Sequence, residues 1–132
     1  MNYIRFVVYE KDDKSGKEKG LFGAMSDLLF ADSLYQYERD LEQELYAWFK
    51  KNLEVPNVQS SGSNHYKNVN ALSWFKSSAK EHIDKLLQYA SILESHDVHV
   101  VRIVTDKPGT ILYEDQFQVA AVPFSDTFKP VI

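Results

Sequence analysis

Arg102 and Asp115 are the residues whose types and placement come closest to a chemical centre. From Val98 to Pro123 the chain reads VHVVRIVTDKPGTILYEDQFQVAAVP, two apolar runs with one charge set into each. A hairpin turning at Pro108-Gly109, as in a type II turn, sets Val104 against Tyr113 and Arg102 against Asp115. Opposite charges on an apolar strand face must pair, because stripping a buried charge of its partner costs about 3–5 kcal/mol. With Arg5 and Glu114 close by, such a pair would line a pocket in which arginines hold an anion and a carboxylate acts as general base. The plainer reading is a clasp that fixes hairpin register. It carries more weight, since structural ion pairs imitate active sites.

The remaining polar residues assemble less. Glu114 and Asp115 are neighbours on a strand and point to opposite faces, so they share no metal, even with His99, unless a bulge intervenes. His96 and His99 would need further ligands, which nothing adjacent supplies. His82 falls on an apolar helical stripe and reads as a hydrogen-bonded core histidine. There is no cysteine, which excludes disulfides, zinc–thiolate sites and thiol nucleophiles. Five scattered glycines form no phosphate loop, dinucleotide fingerprint or nucleophile elbow. The expectation is therefore no catalytic residue, no metal and no cofactor.

Aromatic residues are the unusual feature: eight Tyr, eight Phe and two Trp make up 14% of the chain. Two Trp-Phe pairs, Trp48-Phe49 and Trp74-Phe75, lie in segments with helical spacing. Helical neighbours point about 100° apart, so Trp48 and Phe75 fit the apolar stripes while Phe49 and Trp74 flank them. A wide core would absorb all four. The functional alternative is an exposed ledge gripping a partner through Phe49, Trp74, Tyr66 and Tyr46. Glu38, Asp40, Glu42 and Glu44 read as solvated helix surface, able to complement a basic partner. A nucleic-acid patch of Lys67, Lys76, Lys80 and Lys85 is interrupted by Glu81 and Asp84, and the net charge of −4 opposes it.

These residues need elements to hold them. NYIRFVVY, residues 2–9, has the β-branched and aromatic composition of a strand. Ser33 with Gln36 fits a capping box, and Leu34, Tyr37, Leu41, Leu45 and Trp48 then mark one helical face. Lys50 and Lys51 suit its last turn, and Asn52 and Pro56 stop it. Residues 54–69 read as a flexible loop. Asn70 would cap a second helix running to about His96, with Leu72, Phe75, Ala79, His82, Leu86, Tyr89 and Leu93 on its apolar stripe. The hairpin follows, and a tail with Phe124, Phe128, Val131 and Ile132 is expected to dock.

The order β-α-α-β-β predicts an α+β fold: a small antiparallel sheet of three to four strands, with two long helices packed on one face. At 132 residues and 44% hydrophobic composition the chain has the size and content of one domain, 1–132, with one core. No signal-peptide core follows Met1, and no run of ~18 apolar residues is present, so a cytoplasmic location and no membrane partner are expected.

Gly20-Leu21-Phe22, Trp48-Phe49 with Asn52-Leu53, Ser73-Trp74-Phe75-Lys76, Thr105-Asp106-x-Pro108-Gly109 and Tyr113-Glu114-Asp115-x-x-Gln118-Val119-x-Ala121 together resemble a family of short uncharacterised bacterial proteins. The resemblance covers nearly the whole chain. It implies a shared scaffold around the proline-glycine corner and the aromatic pairs, and no known activity. The function expected is non-enzymatic: regulatory binding of another macromolecule, most simply a protein, through aromatic and acidic surface. The alternative is a small enzyme or ligand-binding domain using the Arg5, Arg102, Glu114 and Asp115 pocket.

Overall fold

Strand-forming sequence at both ends of the chain and helix-forming sequence between them give an α+β fold. The structure, a computed structural model, describes residues 1–11, 18–56 and 71–124. The predicted loop therefore lies outside the described residues from 57 onwards, and so does the tail beyond Phe124. Described residues group into two compact units, one of 1–5, 54–56, 71–80 and 103–124, the other of 6–11, 18–53 and 81–102.

Strand β1 (Tyr3–Lys11) crosses from the first unit into the second. Its start pairs antiparallel with β3 (Leu72–Lys76), Tyr3 facing Lys76 and Ile4 facing Phe75. Its later part pairs antiparallel with the short β2 (Glu18–Gly20). β4 (Val100–Thr105) also pairs with β1. β6 (Gln118–Val122) lies between β3 and β5 (Thr110–Glu114), antiparallel to both. The strand path is thus β2-β1-β3-β6-β5, with β4 off it. Gln118, Val119, Ala120 and Ala121 are consecutive and all buried, as a strand covered on both faces requires.

The final third folds differently from its predicted hairpin. The run after Gly109 is two strands, broken at Asp115-Gln116-Phe117, and they pair with each other. β4 turns instead to β1, so no register sets Arg102 against Asp115. Arg102 is exposed, and Asp115 closes the β5–β6 turn. Gly109 does adopt the left-handed φ of +125° that the Pro-Gly pair suggested, but as the entry to β5.

Among the described residues three helices form rather than two. α1 (Leu21–Phe30) has no counterpart in the predicted order. Ser33 N–H bonds the Leu28 carbonyl and Asp32 N–H that of Leu29, a Schellman end with Asp32 at φ 55°. The N-cap of α2 (Gln36–Asn52) is Tyr35, two residues after the predicted cap. α3 (Lys80–Ser95) starts ten residues after its predicted cap, because Leu72–Lys76 is β3 and Ser77-Ser78 forms a turn after it. Hydroxyl side chains favour turns and caps over helix interiors, so the serine pair separates strand from helix. Asp97, at φ 63°, closes α3 with a second Schellman pattern.

Candidate functional site

α2 and α3 form an antiparallel helical pair held by polar rungs. Near one end, Glu38 of α2 meets Ser95, the last residue of α3, and His96 just after it. In the middle, the Tyr89 hydroxyl donates to Glu42 Oε2 at 3.1 Å. At the other end, His82 Nε2 lies 2.9 Å from the Asn52 carbonyl oxygen. A carbonyl only accepts, so Nε2 carries the proton and His82 is a satisfied core histidine, with its ring edge-on to Trp48. Burial, then the charge and hydrogen bond of Glu42, push the Tyr89 phenol well above its ordinary value.

Glu38 is the hub. It is 3% exposed, and its Oε1 accepts the Tyr35 backbone N–H at 2.9 Å and His96 Nε2–H at 2.7 Å. The first bond serves an orphan donor of the opening helical turn, where a carboxylate also suits the dipole. Ser95 Oγ lies 3.0 Å from Oε2 but 2.7 Å from the Ile92 carbonyl, and one hydroxyl proton serves both. Oε2 is therefore the less satisfied oxygen. Burial raises the pKa of Glu38, but the bonds from His96, Tyr35 and Ser95, with the charge of His96, outweigh it and hold the carboxyl below its ordinary value.

This geometry restricts the chemistry. In a hydrolytic triad the histidine stands between nucleophile and acid. Here the acid stands between serine and histidine, so within this cluster no imidazole stands beside Ser95. Among the described residues no three His, Cys, Asp or Glu side chains converge as a metal site needs. His99 Nδ1 pairs instead with Glu94 at 3.4 Å on the surface.

The arginine–carboxylate pocket is not assembled. Arg5 donates to the Ser73 carbonyl at 3.0 Å, and Glu114 pairs with Lys76 at 2.6 Å. Asp115 Oδ1 accepts the backbone N–H groups of Phe117 and Gln118 at 2.8 and 3.0 Å. Its Oδ2 accepts the Tyr113 hydroxyl at 2.7 Å and the Gln118 amide at 3.1 Å. Burial opposes ionisation, yet these four donors keep Asp115 below its ordinary pKa, and the same bond raises Tyr113. Asp115 is the fastener of the β5–β6 turn. Replacing it by alanine should cost about 2 kcal/mol, since the backbone donors at the turn lose a charged acceptor. Urea unfolding followed by circular dichroism measures this; a loss under 0.5 kcal/mol would contradict the assignment.

The aromatic ledge is relocated. Phe49 is buried, and Trp74 is 1% exposed on β3, which corrects both as surface residues. Trp74 pairs in register with Val119 of the covered strand β6, and alternation along β3 turns it inward. Tyr46 is exposed as expected, and Tyr66 lies outside the described residues. Of the lysine patch, Lys67 lies outside the described residues, Lys76 is held by Glu114, and Lys85 sits over the Trp48 ring at 5.5 Å.

The most exposed rings lie at the corner joining α1 to α2. Phe30 is 95% exposed, Tyr35 67% and Tyr37 70%. The Tyr35 and Tyr37 rings stack with a 5° angle between planes and 6.1 Å between centroids, and Tyr35 lies 6.2 Å from the His96 ring. Next to them a groove of about 210 Å³ opens between α2 and α3, with Glu38 among its lining residues. Sequence reasoning misses this corner because the three-and-four spacing places Tyr37 on the core face. Placing Glu38 and Glu42 inside turns the helix so that Tyr37 faces out.

No family model, curated protein or solved structure matches this chain. No helix among the described residues is long and apolar enough to cross a membrane.

Proposed function

We propose that this chain is a cytoplasmic regulatory protein that acts by binding, and that it holds a protein partner on the aromatic corner of Phe30, Tyr35 and Tyr37. The observation that carries this is the exposure of three large rings on one short stretch of surface. Burying such a ring stabilises by about 1.5–3 kcal/mol, so leaving three in water sacrifices folding energy that an interface recovers. Tyrosine and phenylalanine are also enriched at the centres of interfaces. Asp40, bound to the neutral Gln36 amide, stands nearby and favours a basic partner.

The test is a triple variant, Phe30→Ser with Tyr35→Ser and Tyr37→Ser. Serine is a good N-cap, and the Tyr35 interaction with Glu38 is made by backbone N–H, so the helix start survives. The melting temperature should stay within a few degrees, while proteins co-purifying with the tagged wild-type chain should be lost. An unchanged set of co-purifying proteins would reject the corner as the interface.

A further inference from the structure

The C-terminal half of α2 and the facing turns of α3 border a hollow of about 370 Å³. Cavities that hold small molecules span about 300–1,000 Å³, and the neighbouring hollow beside Glu38, at about 210 Å³, falls short of that range. The walls of the larger one are of two kinds. Leu45, Ala47 and the half-buried Trp48 ring are apolar, while Lys51, Lys85, Gln88 and Glu44 are polar.

Both ammonium groups are available. Among the described residues neither Lys51 nor Lys85 pairs with a carboxylate, whereas Lys76 and Arg39 do. Lys85 Nζ stands 5.5 Å from the centre of the Trp48 ring, a cation–π contact that places the charge without neutralising it. Gln88 Nε2 makes one long bond of 3.4 Å to Asp84 and carries a second proton to donate. Two ammoniums against the single Glu44 carboxylate leave the lining one positive charge in excess, on a chain whose net charge is −4. The local field is thus opposite in sign to that of the whole molecule, and it selects for an anion.

We infer that this hollow binds a small organic monoanion, a carboxylate carried on a flat apolar body. The carboxylate takes hydrogen bonds from Lys51, Lys85 and the Gln88 amide, and the body lies against Trp48, Leu45 and Ala47. A dianion would bring a second charge that Glu44 repels. This site goes beyond the protein-binding reading above, and neither depends on the other.

A heteronuclear NMR titration of the full chain with 1-naphthoate tests it. Saturable shifts should appear at the backbone amides of Ala47, Lys51 and Gln88 and at the Trp48 indole N–H. Lys51→Gln and Lys85→Gln should each weaken binding about tenfold, as losing one charge-assisted hydrogen bond does. 1-Naphthylmethanol, which keeps the body, and acetate, which keeps the charge, should each bind more weakly than 1-naphthoate by at least as much. Lys80→Gln, at an exposed lysine outside the lining, should leave the affinity unchanged. Ala47→Trp, at an exposed lining position, should fill the hollow and abolish binding while the melting temperature stays within a few degrees. Should that variant fail to fold, the two lysine variants still decide. No saturable shift, shifts centred on other residues, or equal affinities in Lys80→Gln and Lys85→Gln would overturn the inference. Equal binding of 1-naphthylmethanol would also overturn it, by leaving the ammoniums without a role. Tighter binding of phenyl phosphate would overturn the assignment to a monoanion.

Discussion

Replacing Gly109 by alanine is expected to cost about 3 kcal/mol of unfolding free energy, a large fraction of the stability of a domain. A Cβ there would lie 2.0 Å from the Val122 carbonyl oxygen, 2.5 Å from its carbon and 2.8 Å from Pro123 Cα. All three are backbone atoms, so no side-chain rotation relieves the clash. The φ of +125° also disfavours any L side chain. Relief would have to come from separating β5 from β6 at the Thr110–Val122 pair. Gly20→Ala is the control, because nothing stands within 4 Å of its Cβ position. It should stay within about 1 kcal/mol of the parent, as expected for an N-cap change. Chemical denaturation of both variants decides the matter. Similar midpoints would show that the β5 entry yields more readily than its geometry implies.

Glu38→Ala should cost about 3 kcal/mol, because it leaves Tyr35 N–H and His96 without their acceptor. Glu38→Gln should cost only about 1 kcal/mol. Its amide oxygen still accepts from Tyr35 and His96, and its amide nitrogen donates to Ser95 Oγ. The pair also separates in pH dependence. Glu38 has a folded pKa below its unfolded one, so its contribution is complete above the ordinary carboxylate range. It is lost as pH falls through the lowered folded value. Glu38→Gln should therefore flatten the acid side of the stability profile, measured as urea midpoints from neutral pH downwards. A profile parallel to wild type would remove Glu38 from the acid-sensitive groups. Asp115, whose pKa is lowered as well, should still give a residual slope of the same sign.

What was legible in the sequence depended on whether local signals agreed with burial. β1 was readable because NYIRFVVY favours strand at every position, and the end of α2 was readable from Lys50, Lys51 and Asn52. β3 was hidden because Leu72, Phe75 and Ala79 continue the three-and-four spacing of α3 by coincidence. The Ser77-Ser78 turn signal was the available correction. The hairpin was misplaced because Pro108-Gly109 is the louder turn signal. Asp115 makes the actual turn with its own side chain, a chemistry that Asp-Gln-Phe permits but does not advertise. The hub was the least readable part. Hydropathy places Glu38 and Glu42 outside, and the side-chain partners that satisfy them in burial, Ser95, His96 and Tyr89, lie 47 to 58 residues away.

Each compact unit contains a single tryptophan, Trp74 in one and Trp48 in the other. The buried Trp74 indole N–H has no acceptor among the described residues, so its excited state has little polar matter to relax against and emits toward the blue. Trp48 is half-buried under the Lys85 ammonium and emits further to the red. The two halves of the spectrum therefore report on the two halves of the chain. A spectral shift confined to one band during denaturation would show one unit opening while the other holds, with no dye attached.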